Sequence, residues 1–204
     1  MKSDGTGEEG KVVARHARPH SRNLLREALE FVVIIVAALV LTVLIRTFVL
    51  DQYEIPTGSM QPTIEINDRV FAEKVSYHFS AVNPGDIVTF DNPYPSADKH
   101  DAVLIKRVIA TEGQIVDFKD GLVVVDGEIL EEPYTHGLPS EPLSIQYPGV
   151  ELSFPYQVPQ GEVWVMGDNR INSLDSRYFG PIEEEHLLGR AILRIWPLNR
   201  FGTL

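Results

Sequence analysis

FVVIIVAALVLTVLI, Phe31 to Ile45, is fifteen residues without a charge, and the chain stays apolar from Ala28 to Leu50 apart from Glu30 and Arg46. As a helix rising ~1.5 Å per residue, residues 28–50 span about 34 Å, enough for a hydrocarbon layer of about 30 Å. The two charges fall near its ends, where they can reach the interface. The run is not amphipathic, which disfavours a core helix of a soluble domain. The sequence therefore divides into a tail over 1–27, one transmembrane helix over 28–50 and a domain over 51–204. Lys11, Arg15, Arg18, Arg22 and Arg26 precede the span and the stretch after it is net acidic, which places the N-terminus in the cytoplasm and the domain outside. Arg46-Thr47-Phe48-Val49-Leu50 offers no pair of small residues for removal of the segment, so the helix is expected to stay attached. Residues 1–10, rich in Gly and acid, read as a disordered tail.

The charge follows the same division. Residues 1–50 carry 7 Lys/Arg and 5 Asp/Glu, and the remaining residues carry 11 and 24. The overall charge of -11 argues against nucleic acid as a partner, because phosphate binding needs the opposite sign. The cysteine count is zero, which excludes disulfides, thiolate metal sites and cysteine nucleophiles.

Beyond residue 51 the continuous apolar pattern gives way to short alternating runs punctuated by Gly, Pro, Asn and Asp. Strands are predicted over 48–55, 69–74, 86–90, 102–110, 114–118, 122–125, 128–130, 162–166 and 190–195. Asp120-Gly121 and Asp126-Gly127 read as tight hairpin turns. The fold class is mostly β, an antiparallel-sheet domain behind one N-terminal helix. Residues 133–159 hold six of the fourteen prolines and read as an irregular insertion, and a short helix is predicted over 183–188.

Three segments carry candidate chemistry. In Pro56-Thr57-Gly58-Ser59-Met60-Gln61-Pro62-Thr63, Gly58 permits a sharp turn that presents Ser59 at a loop tip, suited to a nucleophile with its own N–H near the reacting carbonyl, though a Gly-Ser pair is more often only a turn. A nucleophilic serine needs a base. His16 and His20 sit on the far side of the helix, and His78, His100, His136 and His186 lie in ordinary polar contexts without an HExxH pattern. No metal and no cofactor are therefore expected.

The second segment, Val103-Leu104-Ile105-Lys106-Arg107-Val108-Ile109, puts two cations on opposite faces of an apolar strand. If the face shared by Leu104, Lys106 and Val108 is core, desolvation lowers the lysine pKa towards neutrality and the amine becomes a general base. If the face is solvated, Lys106 only guards an edge strand. Arg107 stays protonated in either case. The third segment, Met166 to Gly180, is dense in Asp, Asn, Arg and Ser, and reads as a functional loop able to orient a base and pair a buried cation, against the plainer reading of a solvated turn. Ser96-Ala97-Asp98-Lys99 fits an S-x-x-K pattern but follows two prolines and lacks the helix that chemistry requires.

Gly58-Ser59-Met60-x-Pro62-Thr63, Pro84-Gly85-Asp86-Ile87-Val88, Lys106-Arg107-Val108 and Gly167-Asp168-Asn169-Arg170-x-Asn172-Ser173-x-Asp175-Ser176-Arg177, in this order behind an anchor, resemble bacterial type I signal peptidase, a membrane-bound serine protease that removes signal peptides. The resemblance covers nearly all of residues 25–197. It implies Ser59 as nucleophile, Lys106 as general base, Ser173 as the residue orienting that lysine, and the Ser59 N–H and Thr57 hydroxyl as oxyanion donors. It also implies that Arg107, Asp168, Asp175 and Arg177 brace the site, and that Ile55, Pro56, Met60 and Ile105 line pockets for small side chains. The implied partners are secretory preproteins with Ala-x-Ala type cleavage sites, and membrane lipid. Two positions depart from the pattern: Ile171 stands where an Asp is usual, and Ala110-Thr111-Glu112-Gly113-Gln114 replaces Gly-x-Pro-Gly-Asp.

Ser59 lies nine residues beyond Leu50, so at ~3.4 Å per extended residue it is at most roughly 30 Å from the end of the helix and works near the bilayer. Tethering substrate and enzyme to one surface raises their effective concentration. A soluble self-cleaving Ser/Lys protein is disfavoured by the anchor. A membrane-tethered, non-catalytic β module that binds exported proteins is the alternative of another class.

Overall fold

The computed structural model describes residues 24–94 and 102–204. Residues 1–23 of the predicted tail, with Lys11, Arg15, Arg18, Arg22 and two histidines, the Ser96-to-Lys99 pattern and His100 lie outside the described residues. Helix α1 covers Leu24–Phe48, 25 residues, and within it Arg26–Thr47 is long and apolar enough to cross a membrane. Its large side chains are exposed along its length, so water is a poor solvent for it and a single-pass membrane anchor fits. The helix ends at Phe48, and Leu50, predicted within the span, is already a strand residue, because residue 74 donates its N–H to Val49 and the strand beyond it pairs in register from Leu50.

Among the described residues twelve strands follow, in chain order: β1 (Leu50–Glu54), β2 (Arg69–Glu73), β3 (Ile87–Asp91), β4 (Val103–Ala110), β5 (Ile115–Lys119), β6 (Leu122–Val125), β7 (Glu128–Ile129), β8 (Tyr156–Gln157), β9 (Glu162–Met166), β10 (Ile182–Glu183), β11 (Leu187–Trp196) and β12 (Gly202–Thr203). The larger sheet has the order β1-β2-β11-β3-β4-β9-β10, with β12 on β11, and the smaller has the order β7-β6-β5-β8. Every described pairing is antiparallel. The predicted hairpins form because Asp120 and Gly121 (φ 52° and 80°), and Asp126 and Gly127 (φ 54° and 84°), all take the left-handed backbone that matches strand twist in a two-residue turn.

Among the described residues the core has three apolar clusters. One gathers Val88, Phe90, Val108, Val163, Val165, Phe179 and Ile182. A second joins Ile55, Met60, Ile64, Val70, Ile87, Ile105 and Ala191. The third fastens the small sheet to the large one through Val116, Val123 and Val158 against Ile109, Trp164 and Met166. β4 contributes to all three, so both of its faces are covered.

The helix predicted over 183–188 does not form. Ile182 pairs with Val163 as β10, and β11 begins at Leu187, which leaves room only for a 3-10 turn over Glu184–His186. Residues 133–159 are mostly irregular, with a 3-10 turn at Pro133–Thr135 and the short β8; of the four described two-residue strands, β7 falls within a predicted strand, while β8, β10 and β12 carry too little alternation to be read.

Candidate active site

β4 lies inside the large sheet, with β3 on one side and β9 on the other, and Lys106 is the register partner of Val88. The edge-strand reading of Lys106 therefore fails: its side chain shares the Leu104 and Val108 face and is 3% exposed. Burial pushes its pKa down from 10.5 to about 8, against the opposing pull of the carboxylates of Asp175 and Asp168. The amine donates to the Ser59 Oγ at 2.9 Å and to the Ile105 carbonyl at 2.9 Å.

Ser59 sits in the turn after β1. Met60 and Ile64, both fully buried, anchor that turn in the second core cluster and are joined by the Ile64 N–H to Met60 carbonyl bond of 2.9 Å. Gly58 is not in a left-handed conformation. Its missing side chain leaves space that the Gln61 carboxamide fills. Asn169 holds the turn from the other side, its N–H donating to the Ser59 carbonyl at 3.0 Å and its Nδ2 to the Gly58 carbonyl at 3.0 Å. Gly167 completes the contact: a Cβ there would overlap the Ser59 carbonyl and the Ser173 hydroxyl, so only hydrogen fits. Among the described residues, the Ser59 N–H and the Thr57 hydroxyl have no hydrogen-bond partner.

Paired charges brace this arrangement. Arg107 grips Asp168 through Nε at 2.8 Å and Nη2 at 2.7 Å, donates to the Gly85 carbonyl at 2.9 Å, and lies 4.0 Å over the Tyr134 ring. Arg177 grips Asp175 with two bonds of 2.9 Å. Burial alone would raise the Asp175 pKa, but the Arg177 guanidinium and the Gly167 N–H, at 3.0 Å, outweigh it and hold the carboxyl below its ordinary value. Each carboxylate near Lys106 thus has its own arginine, which limits how far it can favour the ammonium. The Ser173 hydroxyl is buried and lies close enough to Asp175 to add to that stabilisation, yet it forms no hydrogen bond of good geometry, and neither of the lysine's two bonds goes to it.

Two clefts meet at the Ser59–Lys106 pair. One, of about 510 Å³, is lined by Ile55, Pro56 and Ile105, with Thr57, Leu104 and Lys106 at its inner end. The other, of about 520 Å³, shares those last three residues and adds Ser59 and Ser173. Met60, expected in a substrate pocket, lines neither cleft and is 0% exposed, because the turn that presents Ser59 needs a core anchor on its other face.

Sequence reading missed three features of the site. Asn169 and Gly167 stood in the quoted motif without a role. Arg170, fully buried, bonds Glu132 at 2.8 Å, the Ser140 hydroxyl at 2.7 Å and the Gly167 carbonyl at 3.0 Å, so the irregular segment after β7 holds the loop after β9. An arginine and a glycine inside so polar a loop are the available signals, but neither names the distant partner.

A serine within hydrogen-bond distance of a dry amine, open to a groove and with two unpaired donors beside it, is equipped for acyl transfer. The sequence pattern of the family described as "Signal peptidase, peptidase S26" matches residues 28–196. Similar proteins include a signal peptidase I of Leptolyngbya laminosa, 40% identical over 82% of this chain and 79% of its own length, and a signal peptidase I of Mycobacterium tuberculosis (strain ATCC 25618 / H37Rv), 33% identical over 99% and 83%. A solved signal peptidase I from Enterococcus faecalis V583 matches 54% of this chain and 97% of its own, with a TM-score of 0.42 and 27% identity. The chain belongs to the peptidase S26 signal peptidase family. It is a serine peptidase, a hydrolase of peptide bonds, and its apolar N-terminal helix fits membrane anchoring.

Proposed function

We propose that this enzyme cleaves N-terminal signal peptides from exported preproteins at the outer face of a membrane, with Ser59 as nucleophile and Lys106 as general base. The observation that carries the reading is the 2.9 Å contact between the Lys106 amine and the Ser59 hydroxyl inside an apolar strand. Neutral Lys106 takes the hydroxyl proton as Ser59 Oγ bonds to the scissile carbonyl carbon. The Ser59 N–H and the Thr57 hydroxyl, both free to donate, stabilise the oxyanion. The ammonium then protonates the leaving nitrogen, the C–N bond breaks and the acyl group stays on Ser59. Water gives its proton to the regenerated amine and attacks the ester, and Ser59 leaves with that proton restored.

Ser173, buried in the same cleft and unpartnered, is the acceptor available to orient the ammonium. Arg107, Asp168, Asp175 and Arg177 hold the loop without touching the reacting atoms. The cleft of Ile55, Pro56 and Ile105 takes the small side chains of an Ala-x-Ala type sequence. The basic residues before α1 set the N-terminus in the cytoplasm, and the domain, joined to the helix by a single residue, works at the lipid surface.

The test is incubation of the full-length protein in detergent with a preprotein whose signal ends in Ala-x-Ala. Cleavage by the wild type and its loss in both Ser59→Ala and Lys106→Met, each with an unchanged circular dichroism spectrum, is the expected result. Retained cleavage in either variant would reject the pair. An intact substrate with the wild type would favour a non-catalytic binding module, a reading that the Ser59–Lys106 contact opposes.

A further inference from the structure

The cleft that contains Ser59 has a character unlike the rest of the domain. Residues 51–204 carry 24 Asp/Glu against 11 Lys/Arg, yet among the described residues that line this cleft Lys106 is the only charged side chain. Its far wall is apolar and aromatic. Tyr147, from the irregular segment, stacks on Tyr94 and meets Tyr178 edge to face, and Leu143 lies beside them. Opposite, Ile171 and Leu174 stand on the loop after β9 with 69% and 59% of their surface exposed. A neighbouring hollow of about 390 Å³ shares Leu143, Leu174 and Tyr178 and carries the surface on to Ile145, which is 70% exposed. Large apolar side chains left in water and lined up along a groove contribute nothing to the free enzyme, and mark a surface that is covered in use.

The groove is continuous through the reacting pair: Thr57, Leu104 and Lys106 belong to both clefts. A polypeptide laid across Ser59 must therefore run out of one cleft and into the other. With the acyl side in the cleft of Ile55, Pro56 and Ile105, the amine side leaves past Tyr147, Ile171 and Leu174. We propose that this second cleft is a specificity subsite for the first residues of the mature protein, and that it selects apolar side chains there. The proposal rests on the signal-peptide reading above and adds the identity of the leaving segment. Ile171 and Leu174 supply the contact, and the Tyr94–Tyr147 stack fixes the opposite wall. A half-covered apolar side chain in such a groove discriminates by about tenfold against an acidic one.

The experiment uses full-length enzyme in detergent and preproteins identical up to the scissile bond, whose first four mature residues are either Leu and Phe rich or Asp and Ser rich. Wild type is expected to show a kcat/KM about tenfold higher for the apolar series. Ile171→Asp and Leu174→Ser should each collapse that ratio towards unity, and Ile145→Ser, at the distal end, should reduce it for the third and fourth positions. Both residues of the loop are exposed, so circular dichroism should be unchanged. A wild-type ratio near unity, a preference that survives all three substitutions, or an effect confined to residues before the scissile bond would overturn the proposal while leaving the peptidase reading intact. If the wild type cuts neither series and matches Ser59→Ala, the signal-peptide reading fails and the subsite falls with it.

Discussion

Replacing Lys106 by methionine should destroy activity and make the protein more stable near neutral pH. Burial lowers the lysine pKa from 10.5 to about 8 in the fold, and at about 1.4 kcal/mol per pH unit that difference is a destabilisation of about 3 kcal/mol when the amine is charged in both states. The sign follows from proton counting. Below pH 8 folded and unfolded chains both hold the proton and the cost is full. Between pH 8 and 10.5 the unfolded chain holds more protons, so wild-type stability rises with pH, and above 10.5 the cost has gone. Methionine has similar length and no charge. It also loses the bonds to Ser59 and the Ile105 carbonyl, about 1 kcal/mol each for the neutral amine, and the extra strength they have with the ammonium is already contained in the lysine's pKa shift. The stability difference between Lys106→Met and wild type should therefore shrink by about 3 kcal/mol between about pH 7.5 and 10.5. Urea unfolding of both proteins in one detergent, read by tryptophan fluorescence at several pH values, measures it. A difference that stays flat across this range would mean that the amine titrates like a solvated lysine, and the argument for a dry base would be lost.

Three further outcomes follow from the same geometry. The kcat/KM for a preprotein should climb with pH through an apparent pKa near 8, with a loss of roughly tenfold per pH unit well below it; a profile flat from about pH 6 to 9 would contradict a neutral-lysine base. Asp168→Asn leaves the Arg107 guanidinium buried without its carboxylate, so thermal unfolding should show a loss of about 3–5 kcal/mol, and removal of a negative neighbour of Lys106 should move the activity profile to lower pH. Gly167→Ala drives a methyl into the Ser59 carbonyl and the Ser173 hydroxyl, so it should cost about 1–3 kcal/mol of stability and abolish most of kcat, whereas Gly202→Ala, at a glycine with ordinary backbone and open space around it, should leave kcat unchanged.

The sequence made Lys106 visible because one of two adjacent cations in an apolar run must share the face of Leu104 and Val108. It could not say whether that face is dry, because the answer depends on β3 and β9 closing on both sides of β4, and those pairings are long-range. The hairpins at Asp120-Gly121 and Asp126-Gly127 were legible for the opposite reason: a left-handed pair is a local requirement met by local residues. Glu132 and Arg170, 38 residues apart, form a buried pair that no local rule finds. Met60 shows the limit of carrying roles by position, since the residue after the serine serves the core and not the groove. The predicted helix over 183–188 failed because Ile182 and Leu187 found strand partners, a tertiary override of local propensity.

Gly167 presses a loop from the end of the chain against one from its beginning, and Asn169 locks the two together. Without β9 and the loop after it, the Ser59 turn would lose both bonds from Asn169, and β4 would lose one of its two neighbours. The Ser59–Lys106 arrangement thus draws on segments 111 residues apart, and a chain stopped short of β9 would lack the clamp that joins them.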